Sequence, residues 1–396
     1  MRLISAPVLL LLCIFLLAGC RAATPGAAVV TSPSVLPGKT IAVYPTATPR
    51  PGTGRQADFS ALHMLDPQTG WAQVNGQVWR TTDGGLHWRN VTPQATASAT
   101  PPQVFDGDFL TASLAWVAFW PAGASIAEIE ETTNGGQTWQ VNTLQIERGA
   151  ISFLNPQDGW VCANEGAAAG SSAFDLFRTT DGGATWVKAQ DVQQIINNAP
   201  GALPFGGDKQ CPSFIDATTG WVTGDEPVSD LRYFYVTRDG GFHWQAQSLP
   251  PAQGVSSPDD GEYSTMAPIF FSNDTRDGVL PVLVPASSSN RSFVAYVTHD
   301  GGVSWQSTEP APDGRYDVLD AQHWWIVQDA DLWMTSDGGQ HWSKLTPGGP
   351  FQNTNELDFI SSQEGWAIGE STSSSSVLLH TTNGGQTWTA LNYSII

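Results

Sequence analysis

Carboxylates dominate the side chains of this chain that could do chemistry: 37 Asp and Glu stand against 17 Lys and Arg, a formal net charge of −20 over 396 residues. Their pattern divides them. Asp83, Asp181, Asp239, Asp300 and Asp337, with Asn134 and Asn383 at the equivalent places, recur in every copy of a sevenfold motif. A reaction centre is needed once, so an acid repeated in this way is structural. Asp106, Asp108, Asp317, Glu356 and Asp358 are not repeated. With His63 and Arg315 they fill two positions, two residues apart, that other copies give to Ala61, to Ala150 and Ser152, to Cys211 and Ser213, and to Ala267 and Ile269. Acids gathered on one side repel one another and favour a bound cation or a basic peptide. Hard oxygen donors would suit Ca2+ or a lysine-bearing partner better than a soft metal. The other reading is that these carboxylates cap backbone amides of a neighbouring repeat. Glu130 deviates differently. It stands where the other copies carry Trp79, Phe177, Tyr235, Tyr296, Trp333 and Leu379. A carboxylate in such a slot is costly unless paired or exposed; the alternative is a local register shift in AEIEETTNGG.

The elements that must position these groups are set by the repeat. Its copies read TTDGGLHW ending at Trp88, TTNGGQTW at Trp139, TTDGGATW at Trp186, TRDGGFHW at Trp244, THDGGVSW at Trp305, TSDGGQHW at Trp342 and TTNGGQTW at Trp388. The acid or amide position moves from 83 to 383, which is 300 residues over six intervals and a mean period of 50. A looser motif precedes each box, as in LDPQTGWAQV around Trp71, LNPQDGWVCA around Trp160, IDATTGWVTG around Trp221 and ISSQEGWAIG around Trp366. Weaker copies surround Trp116 and Trp325, and the fifth, FSNDTRDGVLPV, has lost its tryptophan. Each period reads as four short strands. The chain is therefore expected to be all-β, a seven-bladed β-propeller with four antiparallel strands per blade, over residues 57–396. Two consecutive glycines suit a tight turn between the last two strands, and the preceding Asp or Asn can accept amide hydrogen bonds there. In a propeller the first strand of each blade lines the central channel, which places the unrepeated acids of blades six, seven, one and two on one flank of it.

The box resembles the Asp-box, or BNR repeat, of bacterial sialidases and other glycosidases. Its pairing with a GW strand is most similar to the photosystem II assembly and stability factor family of seven-bladed propellers. That resemblance implies a non-enzymatic binding or assembly module; a protein or glycan ligand, no cofactor and a monomeric state are expected. Members of that family are thought to present a basic patch to a membrane-protein client, whereas this chain is acidic. The alternative is a glycoside hydrolase. Sialidases of this architecture need three arginines on the substrate carboxylate and a Tyr with a Glu as nucleophile. No FRIP-like segment opens the first blade here, so no sialidase residue is carried over.

Residues 3–17 form an apolar run behind Met1 and Arg2, too short for a confident membrane span, and read as an export signal. The run ends in Leu17, Ala18, Gly19 and Cys20, which resembles the lipobox of bacterial lipoproteins. This resemblance implies a signal peptide over 1–19 and a diacylglycerol on Cys20. Residues 20–56, rich in Thr, Pro, Ala, Ser and Gly, then form a flexible tether to the outer face of the cytoplasmic membrane or the cell envelope. Cys162 and Cys211 are the remaining mature thiols, and in an exported chain they can pair. The acidic balance excludes a nucleic-acid binder and a basic membrane patch, leaving the lipid as the membrane contact. No phosphate loop, zinc-spaced Cys and His set or nucleophile elbow is present.

Overall fold

The computed structural model describes residues 43–45, 57–93, 103–120, 126–168, 171–225, 233–255, 263–271, 274–285, 291–351, 354–370 and 376–396. The lipobox and Cys20 lie outside the described residues. Strands make up nearly all of the secondary structure, with a short helix at Val192–Ile196 and a 3-10 turn at Gly349–Phe351. The fold is all-β. In repeat one, Phe59–Met64, Gly70–Val74, Gln77–Thr81 and His87–Asn90 lie side by side in antiparallel order. Repeats two, three, six and seven each form their own sheet with the same four-strand run. Repeats four and five share an 11-stranded sheet. Their union comes from Ser264–Thr265, which pairs with Gly220–Asp225 of repeat four and with Asp274–Pro285 of repeat five.

Three features go beyond the repeat pattern. The first strand of repeat four shrinks to Ser213–Phe214, with Asp208–Lys209 paired separately upstream. The C-terminal strand Ser394–Ile395 lies parallel against His87–Asn90, so the chain end laps onto repeat one. Val43–Pro45 adds a strand outside Thr138–Ile146 of repeat two, within the stretch read above as a tether.

Second strands are buried on both faces, as GWVTGD over Gly220–Asp225 shows, because a neighbouring repeat covers each side. Their sequences are continuously apolar for that reason and do not alternate. Fourth strands such as Trp244–Ala246 and Ser343–Leu345 are largely exposed edges.

The box closes locally. In every copy the acid or amide oxygen accepts the N–H four residues later at 2.8–3.0 Å. The preceding Thr hydroxyl donates to that same oxygen and accepts the amide of the second glycine. Gly84 has φ 74° and Gly85 φ 92°, and a Cβ on Gly84 would sit 2.9 Å from the Pro67 carbonyl, so only glycine fits.

Contacts between repeats follow a second rule. In four repeats the GW indole donates to the first-glycine carbonyl of the next box: Trp116 to Gly182, Trp160 to Gly240, Trp325 to Gly384, and Trp366 of repeat seven to Gly84 of repeat one, at 3.1–3.3 Å, whereas Trp71 donates to the Thr111 carbonyl and Trp221 to the Gln247 side chain. The same indole stacks on a phenylalanine of the next first strand, as in Trp116 on Phe153, Trp160 on Phe214 and Trp325 on Phe359, with centroids 3.6–3.7 Å apart. Repeat five has Val279 for its indole, and repeat six has Val318 for the matching ring. Trp324, one residue before the GW tryptophan of repeat six, packs into that junction with Val279 and Ile326. Box indoles do not all behave alike. Trp88, Trp244 and Trp388 donate to their own box, Trp139 donates to Val91, and Trp186, Trp305 and Trp342 keep buried N–H groups without a partner.

Candidate functional site

Strand register fixes the unrepeated acids. His63, Asp108, Ser152, Ser213, Ile269, Asp317 and Asp358 each lie opposite the GW tryptophan position of their own repeat. Asp106, Arg315 and Glu356 lie opposite the residue two further on. All of them therefore occupy equivalent places on first strands.

From those places the carboxylates reach the next repeat. Asp106 accepts the Ile151 amide and Asp108 the Phe153 amide, each at 2.6 Å. Asp317 accepts the Phe359 amide at 2.7 Å, Glu356 the Leu62 amide at 2.8 Å and Asp358 the Met64 amide at 2.5 Å. They form staples from repeat two to three, six to seven and seven to one. Where the carboxyl is ionised, such a bond is stronger than one to a neutral acceptor. The phenylalanine whose amide is stapled is also the ring under the preceding indole, so one residue is held by stacking and by charge.

Burial works against these charges. It pushes Asp106, Asp108 and Asp317 up to about 6. For Asp358, burial outweighs the Met64 bond and the Asp317 and Glu356 charges add to it, so its pKa stands at about 8. Burial raises Glu356 as well, opposed by the Leu62 bond and Arg315. The Glu356 charge also raises Asp317. His63 and Arg315 keep exposed surface. Burial among surrounding atoms nonetheless lowers the His63 pKa. Among the described residues no group of three or more His, Cys, Asp or Glu side chains is placed to hold a metal ion.

The arc from repeat three to five uses other chemistry at the equivalent strand ends. Cys162 and Cys211 form a disulfide with Cα atoms 5.7 Å apart, joining the second strand of repeat three to the approach of repeat four. The Ser213 hydroxyl donates to the Pro268 carbonyl at 2.8 Å. The Lys209 ammonium donates to the carbonyls of Ser172, Phe205, Gly206 and Gly207 at 2.7–3.0 Å, tying the helix-bearing insertion before repeat four to repeat three.

Glu130 is in register, opposite Val117 and Val141, in the place that Phe177 and Leu379 occupy elsewhere. The bulge in its pairing with Thr138–Ile146 falls between Ala127 and Ile129, before it, so a register shift does not account for this carboxylate. It is fully buried, and neither oxygen has a partner. Burial, with the nearby Glu128 charge, pushes it up to about 8, so it is largely a neutral acid at pH 7. The box acids do the opposite: the Ser304 hydroxyl and amide hold Asp300 down at about 2.

Sequence reasoning missed several of these parts. The stacked phenylalanines were legible as apolar residues immediately after the second first-strand position. Asn142, fully buried with both amide atoms unpartnered, gave no signal, because it lies in a fourth strand of otherwise ordinary composition.

Fold and site together define a BNR-repeat β-propeller resembling photosystem II assembly factors. Residues 304–395 match the family described as photosynthesis system II assembly factor YCF48. The chain is 25% identical over 281 residues to photosystem II stability/assembly factor HCF136 of Arabidopsis thaliana, covering 65% of this chain and 60% of that protein. The same factor of Oryza sativa subsp. japonica is 26% identical over 304 residues, covering 66% and 64%. Xyloglucanase Xgh74A of Acetivibrio thermocellus is 25% identical over 359 residues, covering 70% of this chain and 41% of that enzyme. Each match spans less than two thirds of the relative's own length. Among solved structures, the β-propeller domain of the Trilobed protease from Pyrococcus furiosus aligns with a TM-score of 0.47 at 10% identity, over 83% of this chain and 96% of that one.

Proposed function

We propose that this chain is a seven-bladed propeller, held by a lipid on Cys20 at the outer face of the membrane or in the cell envelope, that binds or helps assemble a protein client without catalysing a reaction. The observation that carries this reading is its similarity to two stability/assembly factors, together with the family match over repeats six and seven. Seven blades agree with the seven boxes and with the staples from repeat seven to repeat one. The client surface is the first-strand end of repeats six, seven, one and two, where Arg315, His63 and the stapled carboxylates lie. A lysine-bearing segment suits that surface better than Ca2+, because one oxygen of each carboxylate is already committed to an amide.

The xyloglucanase relatives support a second reading, hydrolysis of a glycan. The two separate cleanly. Affinity capture from the native envelope at pH 8.5, where both carboxyls are ionised, should lose a specific client at least tenfold in the double variant Asp108→Asn and Asp358→Asn compared with wild-type protein, while the fold persists. Equal capture by both proteins refutes the client surface, and turnover of xyloglucan or a sialylated glycan by wild-type protein establishes the hydrolase.

A further inference from the structure

The outer edge of repeat two carries an unusual strand. Fourth strands elsewhere have two to four residues, whereas Thr138–Ile146 has nine. A long outermost strand presents a row of unpaired backbone groups, which proteins cover, shorten or charge. Here the chain supplies its own cover. Val43–Pro45 lies antiparallel against this strand, with Val43 opposite Gln140, Tyr44 opposite Trp139 and Pro45 opposite Thr138. The local sequence agrees with that placement. Ile41, Val43 and Tyr44 bring β-branched and aromatic residues into a Thr, Pro, Ala, Ser and Gly-rich stretch. Pro45, which cannot donate to a ladder, stands at the strand end, where an edge tolerates it.

We propose that Val43–Pro45 is a built-in β-augmentation segment for the outer edge of repeat two. It occupies the position that a strand from another molecule, including a second copy of this chain, would take by strand addition. The tether then leaves the folded body at repeat two and not at Ala57. A functional consequence rests on the lipid-anchor reading above. Counted from Cys20, an extended chain reaches about 80 Å to Val43, against about 130 Å to Ala57. Docking the strand shortens the leash by more than a third.

Cross-linking in the full-length protein tests the pairing. Val43→Cys with Gln140→Cys should form an engineered disulfide in most molecules, and Val43→Cys with Gln245→Cys, the same place in repeat four, should stay at background. Amide exchange over residues 138–142 should quicken at least tenfold in Tyr44→Pro. Equal cross-linking of the two pairs, or exchange unchanged by Tyr44→Pro, overturns the proposal. Protection of residues 138–142 that disappears on dilution, together with dimers in light scattering, assigns the edge to a second copy and also overturns it. Repeating the cross-link in Cys20→Ala separates the two readings. A retained cross-link with lost membrane attachment supports both, a retained cross-link with unchanged attachment removes only the leash, and an absent cross-link removes the strand.

Discussion

Two arcs of the molecule do the same job by different chemistry. From repeat six through seven to one, and from two to three, first strands are stapled to their neighbours by half-buried carboxylates on backbone amides. From three to five, the equivalent ends are joined by a disulfide, a hydroxyl and a shared sheet. The contrast shows that the repeat requires a link between neighbouring first strands without dictating its type. It also divides sensitivity to the surroundings. One arc answers to protons and the other to reductant.

Breaking the disulfide should have the largest effect. Cys162→Ala with Cys211→Ala removes a link closing 49 residues of chain and should cost roughly 4 kcal/mol by loop-entropy reasoning. Urea denaturation of wild type with and without reductant checks this, and a loss equally large in a reductant-insensitive protein would contradict the assignment. Glu130→Leu comes next, placing at the repeat one to two junction the residue that repeat seven carries as Leu379. Removing a buried, unpartnered acid should raise stability by about 2 kcal/mol at pH 8.5 and by less at pH 5.5, read from the shift in urea midpoint.

The carboxylate arc gives a graded effect, spread over several pH units. Asp106, Asp108, Asp317 and Asp358 are all raised in the folded state, to between about 6 and about 8. A raised carboxyl binds its proton more tightly when folded. Its contribution is complete below the ordinary carboxylate range near pH 4 and is lost as pH rises to its folded value. Stability should therefore fall from about pH 4 to about pH 8, most steeply below pH 6, where all four groups titrate, by up to about 1.4 kcal/mol per pH unit for each titrating group. Asp358→Asn keeps an oxygen for the Met64 amide and should flatten the upper part of that profile. An unchanged slope in that variant breaks the contrast between the arcs. Smallest is removal of residues 394–396. Their backbone bonds to Leu86, Trp88 and Asn90 should together contribute about 1 kcal/mol, visible as a modest drop in the midpoint of thermal unfolding.

The legible part of the fold is the part made by neighbours in sequence. A box acid accepts an amide four residues on, and its glycines turn the chain on the spot, so TTDGGxTW encodes its own geometry wherever it stands. Period, strand number and the place of His63, Asp106, Asp108, Arg315, Asp317, Glu356 and Asp358 on first strands follow from counting along the chain. What those acids hold does not. Asp108 meets Phe153 across 45 residues, and Glu356 meets Leu62 across 294.

Composition determined that these carboxylates depart from the repeat, and only packing decided that they point into the next repeat, where lost hydration raises their pKa. The same division explains Glu130, whose sequence offered either a slipped strand or a buried acid until the pairing with Val117 chose the second. It explains Val43–Pro45 too. A strand this short is stable only when another edge supplies its partners, and that edge, Thr138–Ile146, lies about a hundred residues away in sequence. Local hydrogen bonds and positive φ angles are written into consecutive residues, whereas burial, charge coupling and edge pairing depend on which distant strands the closed fold brings together.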